Sequence, residues 1–243
     1  MLEKWLLVPD CHVPFEDSTA VTLMLKAAYE TGIKNVVILG DFCDFYSVSS
    51  HPKNPTRKND LQWEVDQVNL ALDTFDQVFP GKKKFIAGNH EQRLERYLAD
   101  RAPALFNTVK VEELLGLKER GWSYTAYKDH TKIGRLHLTH DAGKAGRNAH
   151  VDAMNAFQGN VVIGHTHRIG YAVEGNVRGK PHVGAMLGWL GDPNQVEYMF
   201  RVRAARDWAQ GFGLAYIEPN GNAHLSVVPI VDGKVLIEGK LIK

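Results

Sequence analysis

Asn35-Val36-Val37-Ile38-Leu39-Gly40-Asp41-Phe42-Cys43-Asp44 is an aliphatic run that stops on a glycine and a carboxylate, and how it is read decides the fold. Four consecutive aliphatic residues leave no polar face for water, so the run predicts a short strand buried on both sides. The same pattern recurs along the chain. Trp5-Leu6-Leu7-Val8 leads through Pro9 to Asp10-Cys11-His12, Lys84-Phe85-Ile86-Ala87 leads to Gly88-Asn89-His90-Glu91, and Val161-Val162-Ile163 leads to Gly164-His165-Thr166-His167.

Between these runs lie helical patterns. A helix is expected over residues 18–31, opened by a Ser/Thr cap region and stopped by Gly32. Leu61, Val65, Val68, Leu72, Phe75 and Phe79 recur at three- and four-residue steps and mark one face of a long helix that Pro80-Gly81 ends. Another helix follows Glu91 and runs to about residue 100. Alternating strands and helices predict βαβ units and an α/β fold. Beyond Pro103 the reading is a helical stretch at 109–117, a hairpin-like pair at 123–128 and 133–139 that ends on His140, and a helix at 147–157. The last third reads as strands joined by turns such as Glu218-Pro219-Asn220-Gly221-Asn222. No internal repeat or linker divides the chain, so residues 1–243 are expected to form one domain.

Composition narrows the class. With 44 % hydrophobic and 23 % charged residues the chain is an ordinary globular protein. Lys and Arg number 29 against 28 Asp and Glu, a net charge of +1, which argues against a dedicated nucleic-acid coat protein. The two cysteines, Cys11 and Cys43, cannot build a disulfide framework; strand alternation turns both into the core as small hydrophobes, with a redox pair as the remote alternative. No stretch approaches the roughly 20 apolar residues of a membrane span. A cytoplasmic setting without membrane contact is expected.

The polar residues at the strand ends carry the chemistry. In open α/β sheets ligands bind beyond the carboxyl ends of the strands, so Asp10, His12, Asp41, Asn89, His90, His140, His165 and His167 should converge in space. Imidazoles, carboxylates and an amide oxygen, with no thiolate, suit borderline divalent ions such as manganese, iron or zinc better than a sulfur-rich structural zinc site, and manganese is taken as the first choice. Asp41 can bridge two ions through its two oxygens, so this is a ligand count for two metals.

Asp10-Cys11-His12, Gly40-Asp41-Phe42-Cys43-Asp44, Gly88-Asn89-His90-Glu91, the isolated His140 and Gly164-His165-Thr166-His167 resemble the calcineurin-like metallophosphoesterases in order and rough spacing. The match spans about residues 4–168 and is closest to the short, single-domain bacterial and phage members. The resemblance implies a four-layer αββα sandwich of two mostly mixed sheets, with a dinuclear metal site at the strand ends. It implies Asp10, His12, Asp41 and His167 around one ion, and Asp41, Asn89, His140 and His165 around the other. His90 would be the proton donor and Asp44 the partner that holds its ring.

Other residues are read with more than one outcome. Arg93, near the start of a helix beside the site, is either a phosphate clamp or an exposed helix residue. His51, in the loop after the Asp41 motif, is a candidate substrate contact. Asp141 stands where the family commonly has glycine and reads as a turn residue or a support for the site. His130, His137, His150, His182 and His224 are taken as structural. Lys53, Arg57, Lys58, Arg96, Arg101, Arg201, Arg203 and Arg206 would form a phosphate-tracking rim if they gather around one cleft. Gly143-Lys144-Ala145-Gly146 lacks the spacing of a phosphate-binding loop.

The functional expectation is a two-metal phosphoester hydrolase, a phosphodiesterase or nuclease acting on nucleic acid or nucleotides, with a hydroxide held between the ions as nucleophile. A phosphomonoesterase on proteins or nucleotides is the alternative enzyme, and a non-catalytic metal-bound scaffold the alternative of another class.

Overall fold

A computed structural model describes residues 2–175, 177, 179–195 and 207–243. The decisive aliphatic run is β2 (Asn35–Ile38), and it lies between two parallel neighbours, β1 (Glu3–Val8) and β3 (Lys83–Ile86). β4 (Trp122–Thr125) continues the sheet in parallel beyond β3. On the other side β10 (Gly211–Ile217) runs antiparallel to β1, and β11 (Ala223–Pro229) antiparallel to β10, giving the order β11-β10-β1-β2-β3-β4.

A second sheet holds β5 (Thr131–Ile133), β6 (Leu136–Thr139), β7 (Asn160–Ile163), β8 (Ile169–Glu174) and β9 (His182–Leu187) in the order β5-β6-β7-β9-β8. Its central strands β6, β7 and β9 are parallel and its edges antiparallel. The strands β12 (Val235–Ile237) and β13 (Lys240–Ile242) form a separate ribbon.

Side-chain alternation explains why these sheets stack. Trp5 and Leu7 of β1, with Val37 and Leu39, face Ile133, Leu136, Leu138, Val162, Ala185 and Leu187 of the second sheet. Their neighbours Leu6, Val8, Val36 and Ile38 point the other way, into a cluster under the helices α1 (Ser18–Glu30), α2 (Leu61–Val78), α3 (Glu91–Arg101) and α4 (Val111–Leu114). The helix α5 (Ala149–Phe157) covers the far face of the second sheet through Ala149, Ala153 and Met154 on Val161, Ile163 and Met186. The layers are therefore α, β, β, α, with two mixed sheets at the centre.

The helix α1 begins at Ser18 as expected, but its cap is an aspartate rather than a Ser or Thr. The cap is Asp17, whose Oδ1 accepts from the amides of Thr19 (2.9 Å) and Ala20 (3.1 Å). Gly32 ends the helix as expected, with φ +65°.

The expected hairpin between 123–128 and 133–139 does not form. β4 belongs to the first sheet and β6 to the second, so the chain changes sheets across residues 126–130. The hairpin is instead the tight β5–β6 pair, turned at Gly134 with φ +55°. Strand polarity patterns mark burial but not the partner, and both candidate strands have buried faces. The hairpin around 218–222 forms as expected between β10 and β11.

Candidate metal centre

All the predicted ligands lie at the carboxyl ends of parallel strands. Asp10 and His12 follow β1, Asp41 and Asp44 follow β2, and Asn89 and His90 follow β3, whereas His140 follows β6, and His165 and His167 follow β7. The local backbone is bent to present them. His12, Asp41, His165 and His167 all have left-handed φ, at 57°, 47°, 68° and 55°. Such non-glycine conformations cost about 1–3 kcal/mol each and persist where the surroundings impose them.

The motif glycines have a steric reason. A Cβ on Gly40 would lie 2.5 Å from Nδ1 of His140, and a Cβ on Gly88 would lie 2.1 Å from Oδ1 of Asp41. Two of the predicted ligands, His140 and Asp41, occupy the space that those side chains would fill.

Two overlapping groups of donor atoms result. In the first, Nε2 of His12 and Nε2 of His167 are 3.1 Å apart, and Oδ2 of Asp10 is 3.1 Å from Nε2 of His167. Asp10, His12, Asp41 and His167 each offer a ligand atom within 4.8 Å of the others. In the second, Asp41 joins His140 and His165. Asn89 completes it, with Oδ1 2.7 Å from Nδ1 of His165 and 3.1 Å from Nε2 of His140. Asp41 is common to both groups.

The donor chemistry fits two divalent cations. Asp10, His12, His140 and His167 are almost fully buried, as is Asp41 at 2 % exposure, and buried carboxylates need counter-charge. Two imidazole nitrogens face each other with a carboxylate oxygen beside them. Nδ1 of His140 lies 2.8 Å from the carbonyl of Leu39, which leaves Nε2 facing Asp41 and Asn89. Burial pushes the His140 pKa down, but the Asp41 carboxylate at 3.4 Å more than reverses this and raises it to about 10. Burial likewise works against the Asp41 charge, and His140 and His90 outweigh it to hold that carboxyl well below the usual range. His167 is pushed down to about 4 by burial, with Asp10 opposing.

His90 and Asp44 sit next to these groups. Nδ1 of His90 lies 3.1 Å from the carbonyl of Asp44 and 3.3 Å from its Oδ2. The same Oδ2 is 3.2 Å from Nδ1 of His12, so Asp44 connects His90 to the first donor group. Arg93 turns inward rather than lying on an open helix face. It donates to the Asp44 carbonyl (2.8 Å) and to Oδ1 (3.1 Å), and its other terminal nitrogen is 2.8 Å from Nε2 of His90.

Three residues went without a role in the sequence reading. Glu91 is buried, and it accepts from the amides of Asp41 (2.9 Å), Gly88 (2.6 Å) and Cys43 (2.8 Å), tying the loops after β2 and β3 together. Its place in Gly88-Asn89-His90-Glu91 was the available signal. Trp189 stacks flat on His167 with centroids 5.0 Å apart, and Trp208 meets the same ring edge-on at 4.2 Å. No local pattern marks either tryptophan.

The remaining candidates are dispersed. His51 is exposed on the loop at 47–59, outside these groups. In the same loop Arg57 lies over the rings of Phe15 and Tyr46, and Lys53 bonds the Ser47 carbonyl. Arg96 reaches the carbonyl of Asn89 at 3.1 Å, next to the site. Arg101 lies eleven residues beyond His90, about 16 Å along α3 at 1.5 Å per residue. Arg201, Arg203 and Arg206 fall outside the described residues.

Asp141 takes the Tyr127 hydroxyl at 2.8 Å and the Gly143 amide at 2.6 Å, a turn residue beside His140. His130 and His137 pack on Phe157, and His224 pairs with Glu218 at 2.7 Å. Cys11 and Cys43 are buried. Among the described residues no helix is long and apolar enough to cross a membrane.

No protein-family model matches the chain. Among known proteins it is 26 % identical to the gene 54 protein of Mycobacterium phage D29 over 98 % of both chains, and 24 % identical to that of Mycobacterium phage L5 over 99 % of both. Among solved structures it is similar to vacuolar protein sorting 29 from Cryptosporidium parvum, with a TM-score of 0.51 at 13 % identity over 99 % of this chain and 95 % of that one. It also aligns with YfcE, a phosphoesterase from E. coli, at a TM-score of 0.44 and 15 % identity over 98 % of each. The chain shares its fold with vacuolar protein sorting 29, and the Asp, Asn and His motifs that resemble those of the calcineurin-like metallophosphoesterases come together in one largely buried metal-type cluster.

Proposed function

We propose that the chain is a two-metal phosphoester hydrolase whose substrates are phosphodiesters of nucleic acid or nucleotides. The carrying observation is the sharing of Asp41 by two four-donor groups with His90 placed directly beside them. Two divalent cations, manganese in our first assignment, would be held by Asp10, His12, Asp41 and His167 and by Asp41, Asn89, His140 and His165; when bound they activate water and neutralise phosphoryl charge.

The protein's own groups do the rest. Asp44 holds Nδ1 of His90 and so aims Nε2, 3.8 Å from Oδ2 of Asp41, at the site; Nε2 accepts from Arg93 here, so it can carry a proton to the departing oxygen only once Arg93 turns from it to the phosphoryl group. Arg93, whose guanidinium touches that same Nε2, is placed to meet a phosphoryl oxygen beside it. Glu91 keeps the amides of Asp41 and Gly88 in register, so the ligand loops do not have to reorganise when substrate arrives. Arg96 beside Asn89 supports a polyanionic substrate over a small neutral one.

Manganese-loaded protein assayed on bis-p-nitrophenyl phosphate, p-nitrophenyl phosphate and end-labelled DNA tests the reading. Faster turnover of the diesters is expected. Preference for the monoester would move the assignment to a phosphomonoesterase, and no turnover with both metals bound would leave a binding scaffold.

A further inference from the structure

Trp208 stands one ring away from the metal-type cluster. Its ring meets that of His167 edge-on at 4.2 Å and 82°, and Nε2 of His167 is one of the first group's donors. Trp189 touches the same imidazole, 5.0 Å away at 13°, but it is 2 % exposed and serves as a buried backing. Trp208 is different, because it is only half-buried, although it also meets Trp189 edge-on at 5.2 Å and 70°.

The chain on either side of Trp208 is tied down, and the ring itself is wedged edge-on against His167 and Trp189. The amide of Ala209 donates to the carbonyl of His167 at 3.0 Å, and that of Trp189 to the carbonyl of Ala209 at 3.1 Å. On the preceding side, Oδ2 of Asp207 accepts from Nε of Arg168 at 2.9 Å and Nε of Arg147 at 3.2 Å. An aromatic plane fixed before binding loses little freedom when something stacks on it. The two arginines also bring cations to the same edge, and the Arg147 side chain is 81 % exposed.

A partly exposed indole, exposed guanidinium and adjacent phosphoryl site match the three parts of a nucleotide: base, neighbouring phosphate and reacting phosphate. We propose that Trp208 is a stacking platform for a nucleobase of the substrate. This rests on reading the site as a phosphoester hydrolase and names the substrate feature that the site selects.

Two measurements test it. Thymidine 5′-(p-nitrophenyl phosphate) and methyl p-nitrophenyl phosphate share a leaving group and differ in the nucleoside. Trp208→Ala is expected to lower the ratio of their kcat/KM values about five- to one-hundred-fold, the range of one base–aromatic stack, and Trp208→Phe is expected to restore most of it. Calorimetric titration then reads binding without turnover. Thymidine 5′-monophosphate should bind the metal-loaded protein about five- to one-hundred-fold more tightly than 2-deoxyribose 5-phosphate, and Trp208→Ala should bring the two together.

An unchanged kcat/KM ratio, or equal affinity of the native protein for the two monophosphates, overturns the proposal. So does loss of bound metal in both variants, which would reduce Trp208 to packing for His167. If the native protein discriminates between the monophosphates but cleaves no ester, the hydrolase reading fails while the stacking platform stands.

Discussion

Asp41 is the residue on which most of the site depends, since it is the one side chain common to both donor groups and its Oδ1 also accepts the His90 amide at 2.8 Å. Asp41→Asn keeps the shape and removes the charge. Metal content by mass spectrometry should fall from two ions per chain to fewer than one, with activity at background. Gly88→Ala is expected to do the same indirectly, because its new methyl would lie 2.1 Å from Oδ1 of Asp41. If Gly88→Ala retains both ions, the close approach is not what keeps glycine there. His90→Asn separates chemistry from binding: turnover should drop about 10²–10⁴-fold, as for loss of a general acid, with both ions retained. Loss of metal in that variant would make His90 a ligand rather than a proton donor.

At the scale of elements, local signals were readable and pairings were not. Apolar runs ending on Asp, Asn or His located β1, β2, β3 and β7 within two residues, because a strand buried on both faces announces itself in its own composition. The exchange of β4 and β6 between sheets was invisible, since it depends on which distant strand offers a free edge. The tryptophans at His167 were missed for the same reason: they arrive from β9 and from the segment before β10, and only the fold brings them to β7. Glu64, in the first turn of α2, is another consequence of packing that its own sequence context does not show. It is fully buried, and Oε1 accepts the Ser47 amide at 2.8 Å beneath the short turn that follows Asp44. Burial pushes its carboxyl up to about 7 from an ordinary 4.5. The folded chain then holds a proton that the unfolded chain has released between those values, so this group's contribution to stability is present below pH 4.5 and is lost as pH rises to about 7. Glu64→Gln should therefore be no less stable near pH 5 and clearly more stable than the native protein at pH 8, by urea unfolding at both. A pH-independent difference would show that Glu64 does not titrate in this window.

Across the whole molecule, each donor group draws from both sheets. Asp10, His12 and Asp41 come from the six-stranded sheet and meet His167 of the five-stranded one, while Asp41 and Asn89 meet His140 and His165. Bound cations would thus staple the two halves of the sandwich, beyond the apolar contacts between Leu7, Leu39, Leu138 and Val162 that already join them. A ligand held at a hundred times its Kd adds about 2.7 kcal/mol, so two independent ions add about 5 kcal/mol. For a chain of this size that corresponds to a rise in Tm of about 10–20 °C, which a chelator should reverse and Asp41→Asn should abolish. The rise should also grow with pH. Without metal the His140 imidazole carries a proton up to about pH 10, because the Asp41 carboxylate beside it outweighs the burial that disfavours its charge. A cation must displace that proton to reach Nε2, so metal affinity gains from every unit of pH below that value. Thermal unfolding with and without manganese at pH 6, 7 and 8 reads this directly: the gap between the two curves should widen from 6 to 8. A gap that is constant, or that narrows, would mean that His140 binds no metal or holds no proton to release.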